Sequence, residues 1–312
     1  MTARRLLPAL LLASVIAHAQ TQDIYQRVRQ TVGEGGEAEL RARNFSAVEQ
    51  RLAHFTPAND SARAEVLALR GAVAFLAGKL PQAAADFREA DKILPVREGD
   101  RFTLAMALVR LGDGVGARAE LTRLTNEHET SAIYWYWLGR LDYDQRRYTE
   151  AVGNLEKAVK LDPKASRAWD SLGLAWDMQG QMERARDIFE KAVALNREQK
   201  NPSPWPPHDL GYLLLRMGEP AKAEQALRES LRYNPNLAQT HYYLARSLEK
   251  EDRAPEAIEE YQIATAADPT SADSCYSLAM LYRKLGREAD AKEMLAEFRR
   301  RKGTAEPAPI SH

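Results

Sequence analysis

The residues of this 312-residue chain with the means to do chemistry are six histidines, one cysteine and an equal stock of 44 acidic and 44 basic side chains. Their spacing speaks against a reaction centre. A helix that binds a metal presents two ligands three or four residues apart, and no pair among His54, His128, His208, His241 and His312 has metal-ligand spacing. His128-Glu129 opens like a zinc-protease motif but lacks the second histidine. Asp142 and Asp144 fall on adjacent faces of one helix, where solvated charge is the ordinary role. Cys275 has no second cysteine to form a disulfide within the chain. No glycine-rich loop of phosphate-cradling form occurs. The sequence therefore predicts no catalytic residue, no bound metal and no cofactor. The balanced charge also removes the electrostatic case for nucleic acid as a partner.

The N-terminus carries an address. Arg4 and Arg5 precede an apolar run from Leu6 to Ala17, and Ala17-His18-Ala19 supplies small residues before Gln20. This is the make-up of a secretory leader, with cleavage expected after Ala19. The run of 12 residues falls short of the ~20 that span a bilayer as a helix. An uncleaved anchor is the alternative. The leader has no cysteine at its cleavage site, against a lipoprotein, and Leu6-Leu7-Pro8 fits twin-arginine export poorly, so general secretion is expected. Removing Arg4 and Arg5 leaves 42 basic against 44 acidic side chains. The expected product is periplasmic or secreted, and no second apolar stretch reaches membrane-spanning length.

The elements that must position everything else come from a repeat. Segments beginning at Ala64, Glu98, Ala132, Ser166, Pro204, Ala238 and Ala272 align with a 34-residue period, broken once by four extra residues before Pro204. The eighth place is always small: Gly71, Ala105, Gly139, Gly173, Gly211, Ala245 and Ala279. The twentieth is always alanine, at 83, 117, 151, 185, 223, 257 and 291. Small residues at fixed places are what two closely crossing helices require. Leucine recurs at the seventh place from Leu104 to Leu278, and Phe87, Leu121, Leu155, Phe189, Leu227, Tyr261 and Leu295 fill the twenty-fourth. Gly78, Gly112, Gly180, Gly218 and Gly286 at the fifteenth place predict a left-handed end to a first helix. Pro95, Pro163, Pro235 and Pro269 predict the stop of a second.

This pattern resembles the tetratricopeptide repeat. The match is nearly complete at Trp135, Leu138-Gly139, Ala151, Leu155 and Pro163, and continues at Trp169, Leu172-Gly173, Ala185 and Phe189. It departs at Arg101, where an aromatic residue is usual, and at Arg197, which replaces the stop proline. The resemblance implies an all-α fold, a right-handed superhelical solenoid of stacked antiparallel helix pairs. The expected organisation is a leader at 1–19, a helical segment at 20–63, seven repeats over 64–303 and a disordered tail at 304–312. Within 20–63, Phe45, Val48, Leu52 and Phe55 suggest a degenerate repeat over about residues 29–62. The insertion at 201–207, Asn-Pro-Ser-Pro-Trp-Pro-Pro, is expected to be extended or turned.

In that fold the first helix of each pair lines a concave groove. Its second, fifth, ninth and twelfth places form one stripe: Tyr136, Arg140 and Tyr143; Arg167, Asp170 and Asp177; His208 and Tyr212; Tyr242, Arg246 and Glu249; Tyr276, Met280 and Arg283. Tyrosine and arginine combine area with directional bonds, so the stripe is the candidate site for a protein or peptide partner. The alternative is that Arg167 with Asp170, and Arg246 with Glu249, pair among themselves. Trp205 either anchors a partner or folds back to fill the place that Pro207 leaves empty. Cys275 and His241 fall at the fourth, core place. Tyr136 with Arg140, and Tyr242 with Arg246, replace the lysine and asparagine that clamp chaperone C-termini in some members of the family, so that activity is not expected. The chain reads as a non-enzymatic scaffold or adaptor of the cell envelope, with a self-assembling solenoid, or an enzyme with an unrecognised site, as alternatives.

Overall fold

The computed structural model describes residues 13–304, and among them are sixteen helices and no strand. The chain divides into a compact unit ending at Leu161 and another beginning at Asp162. The first holds α1 (Ala13–Arg41), α2 (Phe45–His54), α3 (Asp60–Leu76), α4 (Leu80–Ile93), α5 (Glu98–Leu111), α6 (Gly114–Glu127), α7 (Ala132–Asp144) and α8 (Tyr148–Leu161). The second holds α9 (Ser166–Met178), α10 (Met182–Arg197), α11 (Trp205–Arg216), α12 (Pro220–Tyr233), α13 (Ala238–Lys250), α14 (Ala254–Ala267), α15 (Asp273–Lys284) and α16 (Glu288–Thr304).

Within each pair the helices cross where the small residues stand. A Cβ added to Gly139 would lie 2.7 Å from Leu155, one on Gly173 2.7 Å from Phe189, and one on Gly211 2.6 Å from Leu227. The twentieth-place alanines are buried throughout, and the large twenty-fourth-place residues are buried as far as Tyr261, Leu295 being half-buried. All five fifteenth-place glycines have positive φ. The two repeats without one bend the same way on Arg146 (φ 61°) and Asp252 (φ 57°). Where a stop proline is present, the second helix ends two residues before it, at Ile93, Leu161, Tyr233 and Ala267. Where Arg197 replaces it, α10 runs on to 16 residues, two more than α8 or α12.

Several expectations are corrected. The insertion is irregular only as far as Pro204, because Trp205 begins α11 and Pro206 and Pro207 lie in its first turn. Proline is at home there, since the N–H it lacks has no partner inside a helix start. The first helix of the repeat aligned from Ala64 begins earlier, at Asp60, with the Asn59 side chain accepting from the Ala62 N–H at 2.9 Å. Asp142 is fully buried instead of solvated. It faces Arg118, accepts from Asn154 at 2.7 Å and lies 3.8 Å from Arg147. The segment expected to form a degenerate repeat consists of α2 and the part of α1 that follows a break at Gly33 (φ 82°). The part before the break is held by Arg27, whose guanidinium donates to both carboxylate oxygens of Asp100 at 2.8 and 2.9 Å and to Glu65 at 2.8 Å. Most of the expected leader, and the tail beyond Thr304, lie outside the described residues.

Candidate partner-binding groove

In the first unit the stripe passes over α3, α5 and α7. Arg140 is half-buried, its guanidinium over the Tyr143 ring at 5.3 Å and 3.5 Å from Asp144. Tyr143 is half-buried as well and tilts against Tyr148 at 5.7 Å. Tyr136 is buried, its ring edge-on to Trp137 at 5.5 Å, so it offers a partner little surface. The same repeat places further up the unit carry Phe75, Phe102, Met106 and Val109, all packed on the core. Arg110 lies over the Phe75 ring at 5.5 Å. Reading polar types as the mark of a site passed over these four. Counting repeat places alone would have found them.

In the second unit the stripe runs over α9, α11, α13 and α15. Asp170 is buried and Arg167 half-buried. Asp177 accepts from Arg216 at 2.5 Å, an arginine one place outside the expected stripe. His208 is wholly buried, a correction to its place in the groove. Its Nδ1 lies 2.7 Å from the Thr240 hydroxyl, and its ring packs between Trp205 at 5.4 Å and Tyr243 at 5.5 Å. The half-buried Trp205 thus packs edge-on against α11's own histidine. Tyr212 packs tilted against Tyr243 at 4.7 Å with Arg216 over its ring at 5.4 Å. Tyr242 contacts Tyr243 and Tyr261, and Arg246 lies over its ring at 5.8 Å. The Arg246–Glu249 pair of the alternative reading is not formed among the described residues, and Glu249 accepts from the Tyr261 hydroxyl at 3.0 Å. Tyr276 keeps 47% of its surface exposed beside Phe298, Met280 is half-buried and Arg283 is exposed.

The rest of the chemistry is structural. Cys275 is fully buried, and burial pushes its thiol pKa up, against nucleophilic use. Among the described residues no group of three or more histidine, cysteine, aspartate or glutamate side chains could hold a metal ion. No helix among them is long and apolar enough to cross a membrane.

Paired helices with small residues at each crossing and a left-handed turn between the two helices of a pair define a helical-repeat protein. A tetratricopeptide repeat model matches residues 102–152, 138–201 and 208–272, and a second such model matches 272–298. The chain belongs to the tetratricopeptide repeat family, whose fold is that of a protein–protein interaction scaffold. It is 36% identical to Superkiller complex protein 3 of Mus musculus over 90 residues, 28% of this chain and 6% of the mouse protein. It is 23% identical to the BBSome complex member BBS4 homolog of Drosophila melanogaster over 194 residues, 58% of this chain and 38% of the fly protein. The chain thus spans only a minor part of these relatives. Among solved structures, Pseudomonas aeruginosa pilF superposes with a TM-score of 0.57 at 20% identity, over 65% of this chain and 90% of that one. MamA of Desulfovibrio magneticus RS-1 superposes with a TM-score of 0.51 at 17% identity, over 56% of this chain and 97% of that one. At these identities the likeness is one of fold.

Proposed function

We propose that this protein is a non-enzymatic adaptor of the cell envelope, exported by cleavage after Ala19, that holds a polypeptide partner along the groove stripe. The observation that carries the reading is the state of the stripe over α13 and α15. Among the described residues Arg246 rests on the Tyr242 ring with no ion pair, Arg283 is exposed with none, and Tyr276 presents nearly half its surface. A guanidinium on an aromatic face keeps its N–H edge available for carbonyl or carboxylate groups. A half-exposed tyrosine adds contact area with few rotatable bonds. Such residues dominate binding energy at protein interfaces. The leader motif supports the envelope assignment.

The test is affinity capture from an envelope fraction with the wild-type protein and with Arg246→Ala/Tyr276→Ala/Arg283→Ala. Proteins retained by the parent should be lost from the triple variant while the helical circular dichroism signal is kept. Equal retention by both would move recognition away from this stripe.

A further inference from the structure

Three side chains at the fourth place of their repeats make the same bond. Trp135 donates its indole N–H to the Glu129 carbonyl at 2.8 Å, and Trp169 donates to the Pro163 carbonyl at 3.0 Å. Each reaches back six residues, tying a helix to the turn that precedes it. His241 does so too, with Nε2 2.9 Å from the Pro235 carbonyl, again six residues back. An indole has one N–H and nothing more to satisfy, whereas an imidazole has a second nitrogen. That nitrogen, Nδ1, lies 2.6 Å from Oε2 of Glu260 on α14. A carbonyl and a carboxylate are both acceptors, so the ring meets both bonds only by donating from both nitrogens.

We propose that His241 is held as an imidazolium paired with Glu260, which makes the joint of α12, α13 and α14 depend on a proton that the indole repeats do not need. Glu260 is the charged group in ion-pair range of the ring. From α12, Ser230 approaches the neighbouring Thr240 hydroxyl at 3.4 Å, while Glu229 is engaged by Arg197 at 2.6 Å and by the Tyr233 hydroxyl at 3.0 Å. From α11, His208 bonds to Thr240. Burial by itself favours the neutral ring, but the bonds to Glu260 and to the Pro235 carbonyl outweigh it and raise the pKa above its ordinary 6.5. A pKa raised on folding contributes stability that is complete below the unfolded value, about 6.5, and is lost as pH rises through the folded one. The joint therefore loosens toward alkaline pH. Tyr242 and Arg246 stand on the same helix, so the stripe above it is coupled to that proton. The inference rests on the ring's two bonds and holds whether or not the stripe binds a partner.

The direct test is long-range proton–nitrogen NMR on wild-type protein labelled at histidine. At about pH 7.5, above the unfolded value, both His241 nitrogens should remain protonated, and the same residue in urea-unfolded protein should have lost a proton. Glu260→Gln should lower the titration midpoint by at least about one unit, a tenfold change in proton affinity. A second measurement follows melting temperature from about pH 6 to 9, a range spanning histidine titration, in wild type and in His241→Trp. The wild type should lose stability relative to the variant as pH rises. A bare ring nitrogen in the folded protein at about pH 7.5, or parallel melting curves for the two proteins across the range, would overturn the proposal.

Discussion

Arg146 and Asp252 show what one residue costs when a fold demands a conformation it dislikes. Both occupy the left-handed turn that five glycines occupy elsewhere. A side chain there loses about 1–2 kcal/mol to its own Cβ, less for aspartate than for arginine. Glycine removes that strain but gives back part of the gain through the freer unfolded chain. Arg146→Gly should therefore stabilise the protein by about 0.5–1 kcal/mol, and Asp252→Gly by less, as read by urea denaturation. A buried charge works in the opposite sense. Arg27 and Asp100 each retain 4% exposure, so Arg27→Ala strands a carboxylate in the core. The expected cost is about 3–5 kcal/mol, most of it the unpaired Asp100 and not the loss of the pair itself. Arg27→Ala/Asp100→Asn should recover part of that loss.

The helix pairs owe their geometry to the small residue at each crossing. In the pair α7–α8, the backbone carbonyl of Ala151 lies 3.2 Å from where a Cβ on Gly139 would stand. Ala151→Leu must push these helices apart and should cost about 1–3 kcal/mol or more, lowering the melting temperature with little change in helix content at low temperature. An unchanged melting temperature would contradict the crossing described here. Helix length follows equally local rules. Pro95, Pro163, Pro235 and Pro269 end four second helices, and replacing that stop by Arg197 lengthens α10. Arg197 then reaches Glu229 with two hydrogen bonds, at 2.8 and 2.6 Å, a partner it acquires through the position it has come to occupy.

At the scale of the whole molecule, the expected leader and the stripe make separate claims. Mass spectrometry of exported protein should find Gln20 as the mature N-terminus; retention of residues 1–19 would overturn cleavage after Ala19 in favour of an uncleaved anchor and leave the stripe untouched. Arg246→Ala in the second unit should weaken partner binding by about 2 kcal/mol and change stability by no more than about 0.5 kcal/mol. Lys191→Ala, exposed on α10, serves as the control. Lys157 would be a poor one, because its ammonium sits 3.9 Å over the Trp135 ring. The repeat period, the helix pairs, their turns and the crossing residues were legible in the sequence, since each follows from steric rules acting within about 34 residues and repeated seven times. The stripe was legible only as places. Which of its side chains face solvent depends on what packs against each: Tyr136 is spent on Trp137 and Glu249 on Tyr261 within their own repeats, and His208 on Thr240 and Tyr243 of the next. Asp142 reads as a surface charge until α6 brings Arg118 against it, and Arg27, within reach of Asp23 on its own helix, becomes a buried charge only when α3 and α5 supply Glu65 and Asp100. Periodicity tells which way a helix faces; burial and pairing of polar groups are decided by what folds against that face, and only the tertiary structure contains that.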